Sequence, residues 1–272
     1  MPPSVVAQML RAGLYTAIIG RSVRYYQSTA STMDDAAQWA RDGADEGAVV
    51  VAETQTASRG RLGRRWISDS GNLYFSVLFR PDANALPLLS PLAGVAVARA
   101  VRQAAGLYPT IKWPNDIMID GRKVAGILAE SSMSGSRIEH AIVGVGVNIA
   151  LDTSADPEIA ATAASLNQLA NADVDRAELL RRILQHLDAL YLDLRRGRSP
   201  IPEWRRWLDT LGQRVTVTHH GSAETSLAED IDEHGNLLLR TNAGQLLTLT
   251  AGDITLRAAS GEPVPYARKP LP

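Results

Sequence analysis

The sequence contains no cysteine, which excludes disulfide bonds, a thiolate nucleophile and a zinc site of the cysteine type. No apolar stretch is long enough to span a membrane. Residues 1–20 lack the apolar core and small-residue cleavage site of a signal peptide. A cytoplasmic location without membrane contact is therefore expected.

Positive charge is not in surplus. The 28 basic and 29 acidic residues give a net charge of -1 and an isoelectric point near 6.5, whereas dedicated nucleic-acid binders usually carry a basic excess. Aromatic residues make up only 5% of the chain, so few remain to form a stacking platform for bases. Both scarcities argue against a nucleic-acid-binding module.

Histidine is also rare, and its spacing suggests neither metal binding nor a catalytic triad. The five histidines are His140, His186, His219, His220 and His234. The rest of the composition, 45% hydrophobic and 21% charged over 272 residues, is that of an ordinary globular protein with one large domain and a small one.

The most unusual segment is an arginine-rich loop. It follows an apolar run at residues 47–52 that predicts a strand, and it contains Arg59, Arg61, Arg64 and Arg65 together with Gly60, Gly63 and Trp66. Guanidinium groups repel one another, so we expect the loop to be mobile until an anion binds, with Trp66 as a stacking face for a base. On composition alone, a solvated basic loop or a nucleic-acid contact is the simpler interpretation.

Hydrophobic periodicity predicts the remaining elements of the large domain. A helix is expected to begin at Ser31 and Thr32 with a hydroxyl at its N-cap and carboxylates in its first turn. Further helices are predicted at 86–105 before Gly106, within 151–175, at 176–196 and at 201–208. Strands are predicted at 21–26, 72–79, 124–130 and 137–149, with two short ones within 111–119.

Two features of these strands could face a ligand. Pro114 interrupts the segment at 111–119, so a tight turn there should display Asn115 and Asp116, although such a turn is also ordinary loop chemistry. Gly144 and Gly146 place small residues where a ligand could lie flat against the sheet. No helix follows these glycines, as a dinucleotide site would require.

After residue 211 the pattern changes to short strands at 214–218, 224–231, 237–240 and 246–250, separated by turns that often contain glycine. This pattern predicts a small barrel. We therefore expect domains at 1–211 and 212–257, followed by a loose tail at 258–272.

Five sequence blocks, taken together, resemble the biotin protein ligase family over about residues 21–257. The blocks are Ser31-Thr32; Gln55 with Arg59-Gly60-Arg61-x-Gly63-Arg64-x-Trp66; Lys112-Trp113-Pro114-Asn115-Asp116; Lys123-Val124-Ala125-Gly126-Ile127-Leu128-x-Glu130; and Gly144-x-Gly146-x-Asn148. Singly each block is weak or moderate evidence, but their order and spacing are typical of the family.

The resemblance implies an α+β fold: a catalytic domain of the class II synthetase and biotin/lipoate ligase type, with a mixed, mainly antiparallel sheet, followed by an SH3-like barrel. It also implies two half-reactions. Biotin and ATP, with Mg²⁺, give biotinyl-5'-adenylate and pyrophosphate, and a lysine of a biotin carboxyl carrier protein then attacks the adenylate.

The resemblance implies site residues by position. Biotin would contact Ser31, Thr32, Met33, Gln55, Arg59, Gly60, Arg61, Lys123, Gly126 and Gly144. ATP or the adenylate would contact Arg59, Arg61, Arg64, Trp66, Asn115, Lys123 and Asn148. Lys123, Arg61, Lys112 and Asp116 are the catalytic candidates: the cations cancel repulsion between a carboxylate and a triphosphate, and Asp116 would orient Mg²⁺ or the incoming amine.

Two positions depart from the family pattern. Ser58 stands where the family commonly has glycine, and it should stiffen the start of the loop. Met33 stands where asparagine commonly follows Ser-Thr, which removes a side-chain hydrogen-bond partner and puts biotin affinity, more than reaction type, in question.

The sequence leaves alternatives open. A lipoate or octanoate ligase would share the catalytic fold, and a nucleic-acid-binding module is the alternative from another class. The segment before the first strand is too short for an N-terminal helix-turn-helix domain, so DNA binding is not expected. The choice between monomer and homodimer is left open.

Overall fold

The computed structural model describes residues 4–64, 66–152, 157–219, 222–250 and 255–258. The expectations about Arg65, His220 and the tail at 259–272 therefore lie outside the described residues. Within the described part, no helix combines the length and the apolar character needed to cross a bilayer.

Seven helices and twelve strands make up the described chain. The helices are α1 (Val5–Arg11), α2 (Thr32–Arg41), α3 (Leu89–Ala105), α4 (Pro157–Thr162), α5 (Leu166–Ala170), α6 (Arg176–Arg195) and α7 (Ile201–Trp207). The strands are β1 (Val23–Thr29), β2 (Val49–Gln55), β3 (Leu73–Phe79), β4 (Thr110–Lys112), β5 (Asp116–Ile119), β6 (Arg122–Ser134), β7 (Arg137–Val147), β8 (Arg214–His219), β9 (Ser222–Ile231), β10 (Leu237–Arg240), β11 (Leu246–Leu249) and β12 (Thr255–Ala258).

The first seven strands form one sheet in the order β1-β2-β3-β7-β6-β5-β4. Only β1 and β2 pair in parallel, and every other pairing is antiparallel. The predicted mixed, mainly antiparallel sheet is therefore confirmed. The segment at 151–175 differs in detail, because it forms the two short helices α4 and α5 instead of one.

Side chains alternate between the two faces of the sheet along β7, so each face has its own set of neighbours. Val143, Val145 and Val147 belong to the main core, which includes the apolar faces of α3 and α6. Ile142 points to the other face and packs in a second cluster with residues of α2. Gly144 and Gly146 lie on that second face and are among the residues that line a cavity.

A buried carboxylate in α6 fixes the chain just before β1. Asp188 is buried and accepts hydrogen bonds from the backbone N–H groups of Ala17, Ile18 and Ile19, each at 2.8 Å. Three donors saturate a carboxylate that would otherwise be costly to bury. The contact ties residues 17–19 to α6.

Replacing Asp188 with alanine is expected to lower the free energy of unfolding by about 2–4 kcal/mol, because three backbone N–H groups lose a buried acceptor. Urea denaturation followed by circular dichroism measures the change. The control is Asp193→Ala, also on α6, which removes an exposed ion pair with Arg198 and should cost about 1 kcal/mol or less. Equal losses in the two variants would contradict this account.

The last five strands form a separate antiparallel sheet in the order β11-β10-β9-β8-β12. The predicted strands are present. The two edge strands, β11 and β12, do not pair with each other in the described residues, so no closed barrel forms there by backbone hydrogen bonds. Trp113 connects this sheet to the large one: its indole Nε1 donates to the Gly235 carbonyl at 2.9 Å, and its backbone N–H donates to Thr210 Oγ1 at 2.9 Å. These bonds fix the turn that carries Asn115.

Candidate active site

A cavity of about 320 Å³ lies between the arginine loop, the start of α2 and the glycine-bearing face of β6 and β7. Five basic side chains line it against one carboxylate: Arg59, Arg61, Arg64, Lys112 and Lys123, with Asp116. The other sequence-predicted residues that it collects are Ser31, Thr32, Met33, Gln55, Gly60, Trp66, Asn115, Gly126 and Gly144. Asn148 is the one predicted site residue that is not among the lining residues.

One end of the cavity is polar and uncharged. The Gln55 Oε1 atom accepts from the backbone N–H of Thr32 at 2.8 Å and from its hydroxyl at 3.1 Å. The Thr32 hydroxyl also lies 2.8 Å from that of Ser76 on β3. Ser31 is the N-cap residue of α2, as expected, but its hydroxyl makes no capping hydrogen bond. Gln55 takes over the role because its carboxamide oxygen reaches the first N–H of the helix.

Ser58 closes the arginine loop at its base. Its hydroxyl donates to the Trp66 carbonyl at 2.7 Å and accepts from the Ser68 hydroxyl at 2.8 Å. Ser68 Oγ in turn accepts from Gln55 Nε2 at 3.2 Å. Ser58 therefore restrains the loop through hydrogen bonds, and glycine could not supply the first two of them.

The glycines on the sheet are covered by the protein's own side chains. Gly126 and Gly146 are direct cross-strand partners, and a Cβ atom on either would lie 2.7–2.8 Å from atoms of the Trp66 indole. A Cβ on Gly144 would lie 2.7 Å from the sulfur of Met33. Trp66 and Met33 therefore fill the space directly over these three glycines, where the sequence suggested that a ligand could lie.

Gly146→Ala is expected to push the Trp66 indole off the sheet, because the new methyl group would overlap the rigid ring. The affinity of the cavity for its ligand should fall about 10-fold or more, because overpacking by one methyl group costs about 1 kcal/mol or more. Isothermal titration with biotin, the ligand that the sequence resemblance implies, measures the change in affinity. Combining Gly146→Ala with Trp66→Phe, whose ring is smaller, should restore part of the affinity. An unchanged affinity in the single variant would refute the close packing.

Arg59 lines the cavity, but its guanidinium group is held between two carboxylates that do not line it. It forms two hydrogen bonds with Asp34, at 2.8 and 3.1 Å, and two with Glu130, at 2.9 and 3.0 Å. Hydrogen bonds to Glu130 and then to Asp34 raise the pKa of the Arg59 guanidinium above its ordinary value. The expectation that the loop's guanidinium groups wait for an external anion is wrong for Arg59.

A β-bulge directs Lys123 into the cavity. The register between β5 and β6 shifts between Ile117 and Met118, so Lys123 and Gly126, three residues apart, both line the cavity. The Lys123 Nζ atom lies 2.6 Å from Asp116 Oδ1 and 5.0 Å from the centre of the Trp66 ring. Asp116 thus orients the lysine.

Asn148 supports this bulge from beneath. It is buried, its Nδ2 donates to the Lys123 carbonyl at 3.3 Å, and its backbone N–H donates to the Val124 carbonyl at 2.8 Å. These bonds tie Lys123 and Val124, at the bulge, to the residue that follows β7. The position of Asn148 suits holding Lys123 in place and does not suit direct contact with a nucleotide in this conformation.

Two further cations complete the charged end. Arg61 Nη1 donates to Asn115 Oδ1 at 3.3 Å, and Asn115 Nδ2 donates to the Ile127 carbonyl at 2.5 Å. Lys112 lines the cavity and has no ion-pair partner among the described residues. Its positive charge is therefore uncompensated in the protein alone.

Sequence reasoning missed four residues that organise the site, namely Asp34, Ser68, Ser76 and Glu130. Ser76 could have been found, because strand alternation places it opposite Gly144 on the same face. Asp34 was recognised only as a first-turn carboxylate. Nothing in the sequence relates Ser68 to Gln55, since their side-chain contact depends on how the loop returns to the strand.

Two family models match this chain. The model described as "Biotin/lipoate A/B protein ligase family" matches residues 25–148, which contain the whole cavity, and the model described as "Biotin protein ligase C terminal domain" matches residues 210–257. The second match coincides with the five-stranded sheet except for the end of its last strand.

Individual relatives agree with these matches. The "Bifunctional ligase/repressor BirA" of Bacillus subtilis is 36% identical over 94% of this chain and 80% of its own length. The "Biotin--[acetyl-CoA-carboxylase] ligase" of Mycobacterium tuberculosis is 34% identical over 86% of this chain and 88% of its own. The solved biotin protein ligase of Aquifex aeolicus in complex with biotin and ATP superposes with a TM-score of 0.76 at 28% identity, covering 88% of this chain and 100% of that one.

Proposed function

Because the chain belongs to the biotin protein ligases, within the biotin/lipoate A/B protein ligase family, we infer that it attaches biotin to a protein lysine at the expense of ATP. A carboxylate oxygen of biotin attacks the α-phosphorus of ATP, and pyrophosphate leaves. A lysine amine of the acceptor then attacks the acyl carbon of biotinyl-5'-adenylate. An amide forms, AMP leaves and the amine loses a proton.

The observation that supports this function most directly is the division of the cavity into an uncharged polar end and a cationic end. Thr32 and Gln55, linked to each other, suit the neutral ureido group of biotin. The five basic residues, opposed by one carboxylate, suit the biotin carboxylate and the triphosphate, whose mutual repulsion must be cancelled before they react. Holding these two anions in line is the main catalytic task, and it needs no nucleophilic side chain.

We propose the following roles for the cations. Lys123, oriented by Asp116, neutralises charge at the reacting carboxylate and phosphate. Lys112 contributes its uncompensated charge to the triphosphate, and Arg61 and Arg64 close over it from the loop. The aromatic ring of Trp66 separates the biotin end from solvent.

The nucleotide substrate is proposed to be MgATP. The described residues contain no cluster of three or more His, Cys, Asp or Glu side chains fit to hold a metal, and Asp116 is engaged by Lys123. Magnesium usually keeps several waters and binds through substrate phosphates with one or two carboxylates, so the triphosphate would bring it into the site.

The acceptor is proposed to be a biotin carboxyl carrier protein, as in the reaction named for the Mycobacterium tuberculosis relative. We propose the cytoplasm as the location, since MgATP is available there. The division into a catalytic domain at 1–211 and a smaller domain at 212–257 remains a proposal, as does the absence of DNA regulation. Sequence-specific binding to a DNA fragment at physiological salt would refute the latter.

A labelling assay tests the function. The purified protein is incubated with MgATP, biotin and a biotin-acceptor domain, and transfer is read on a streptavidin blot, with lipoate in a parallel reaction read by mass spectrometry. ATP-dependent transfer of biotin and none of lipoate is expected. Transfer of lipoate and not of biotin would contradict the proposed substrate and indicate a lipoate ligase.

A further inference from the structure

The Arg59 side chain reaches from the arginine loop to a carboxylate on α2 and to another on β6. Its four hydrogen bonds to Asp34 and Glu130 use four of the five guanidinium N–H groups. Both pairings are two-pronged, which restricts the orientation of the planar group more than a single contact would. In this state Arg59 has little capacity left to bind a phosphate.

The two carboxylates belong to different elements on opposite sides of the loop. Asp34 lies in the first turn of α2, two residues after Thr32, and Glu130 lies on β6 opposite Ile142. Neither is among the residues that line the cavity, so they act on the ligand only through Arg59. The loop is thereby fastened to the helix and to the sheet at once.

The electrostatics of the cluster support a mechanical role. Two carboxylates around one guanidinium leave the group with a net negative charge, so Arg59 adds no net attraction for an anionic ligand. Each side chain is partly exposed, at 34% for Arg59, 56% for Asp34 and 44% for Glu130, so the contacts can open and reform.

We propose that Asp34 and Glu130 are positioning residues that clamp Arg59, hold the arginine loop closed and so set how long biotinyl-adenylate stays bound before transfer. The part that concerns the adenylate rests on the proposed function. This role differs from the bridge between biotin and phosphate that the family resemblance implies for Arg59. A closed loop matters because a mixed anhydride is lost by hydrolysis or escape when water reaches it.

Limited trypsin digestion of the ligand-free protein tests the clamp without any assumption about the reaction, because the loop itself carries the cleavage sites. Asp34→Asn and Glu130→Gln should each raise the rate of cleavage within the loop by about 3- to 10-fold, since cleavage follows the open population. Asp34→Glu should restore the slow rate. Asp42→Asn, at the other end of α2 where Asp42 contacts Gln38, is the matched control and should leave the rate unchanged.

Retention of the adenylate tests the functional part. Protein loaded with biotin and MgATP is separated from free ligand, and release of adenylate is followed by filtration. Asp34→Asn and Glu130→Gln should raise the release rate by a larger factor than they change the rate of adenylate formation.

Two outcomes would overturn the proposal. Cleavage at the rate of the unmodified protein in both variants would mean that the clamp does not hold the loop. A lower KM for ATP in Asp34→Asn would mean that the carboxylate merely competes with phosphate for Arg59. If the unmodified protein formed no adenylate, the proposed function would fail, and the trypsin result would still decide the clamp.

Discussion

Replacing Lys123 with alanine is expected to slow biotinyl-adenylate formation by about 100-fold or more, roughly 3 kcal/mol at the transition state. The Lys123 ammonium group lies in the cavity, 2.6 Å from Asp116, where a carboxylate and a triphosphate must meet. Its removal has two effects. The anions lose one compensating charge, and Asp116 becomes an unpaired carboxylate that repels them.

The second effect gives the experiment its specificity. Lys123→Ala combined with Asp116→Asn should recover part of the lost rate, because the repelling charge is also removed. Arg122→Ala is the matched control, since Arg122 precedes Lys123 on β6 but does not line the cavity. Biotin-dependent exchange of pyrophosphate into ATP measures all three. A Lys123→Ala rate within twofold of the unmodified protein would exclude Lys123 from the chemistry.

Arg61→Ala is expected to lower adenylate formation by about 10- to 100-fold and to let more of the adenylate escape. Arg61 begins the short 3₁₀ turn at Arg61–Gly63 and reaches across the cavity to Asn115 at 3.3 Å. Its loss removes both a cation and a contact between the loop and the opposite wall. The loop would then close less tightly over the phosphate.

Escape has its own readout, because free adenylate acylates exposed lysines of any protein nearby. Adding serum albumin to the reaction should give biotinylated albumin with Arg61→Ala and little with the unmodified protein. Arg137→Ala, at the exposed first residue of β7, removes an equal charge outside the cavity lining and should behave like the unmodified protein. Labelling of albumin at equal levels by all three proteins would contradict a retaining role for Arg61.

Periodicity and strand alternation predicted most of the fold. The helix at 31–41, the long helix at 176–196 and the strands on either side of the glycines follow from hydrophobic spacing, which depends on neighbours along the chain. The site residues that the resemblance implies all line the cavity apart from Asn148, and their roles stay predictions. These short-range patterns predict the elements because each helix or strand buries its apolar face, and the spacing of apolar residues defines that face.

What the sequence could not predict are contacts between distant residues of the site. Asp34 and Glu130 meet Arg59 across 25 and 71 residues, and no local pattern distinguishes them from other surface carboxylates. The bulge that turns Lys123 inward depends on the register between two strands and on support from Asn148. The covering of Gly126 and Gly146 by Trp66 depends on how the loop folds back.

The central claim is that this cavity activates biotin as an adenylate and passes it to a lysine. The most direct measurement incubates the protein with biotin and MgATP, identifies the bound product by mass spectrometry and then adds an acceptor domain with or without its target lysine. The account predicts protein-bound biotinyl-5'-adenylate, release of pyrophosphate, and loss of the adenylate to the acceptor that has the lysine. Absence of both adenylate and biotin-dependent pyrophosphate release would contradict it.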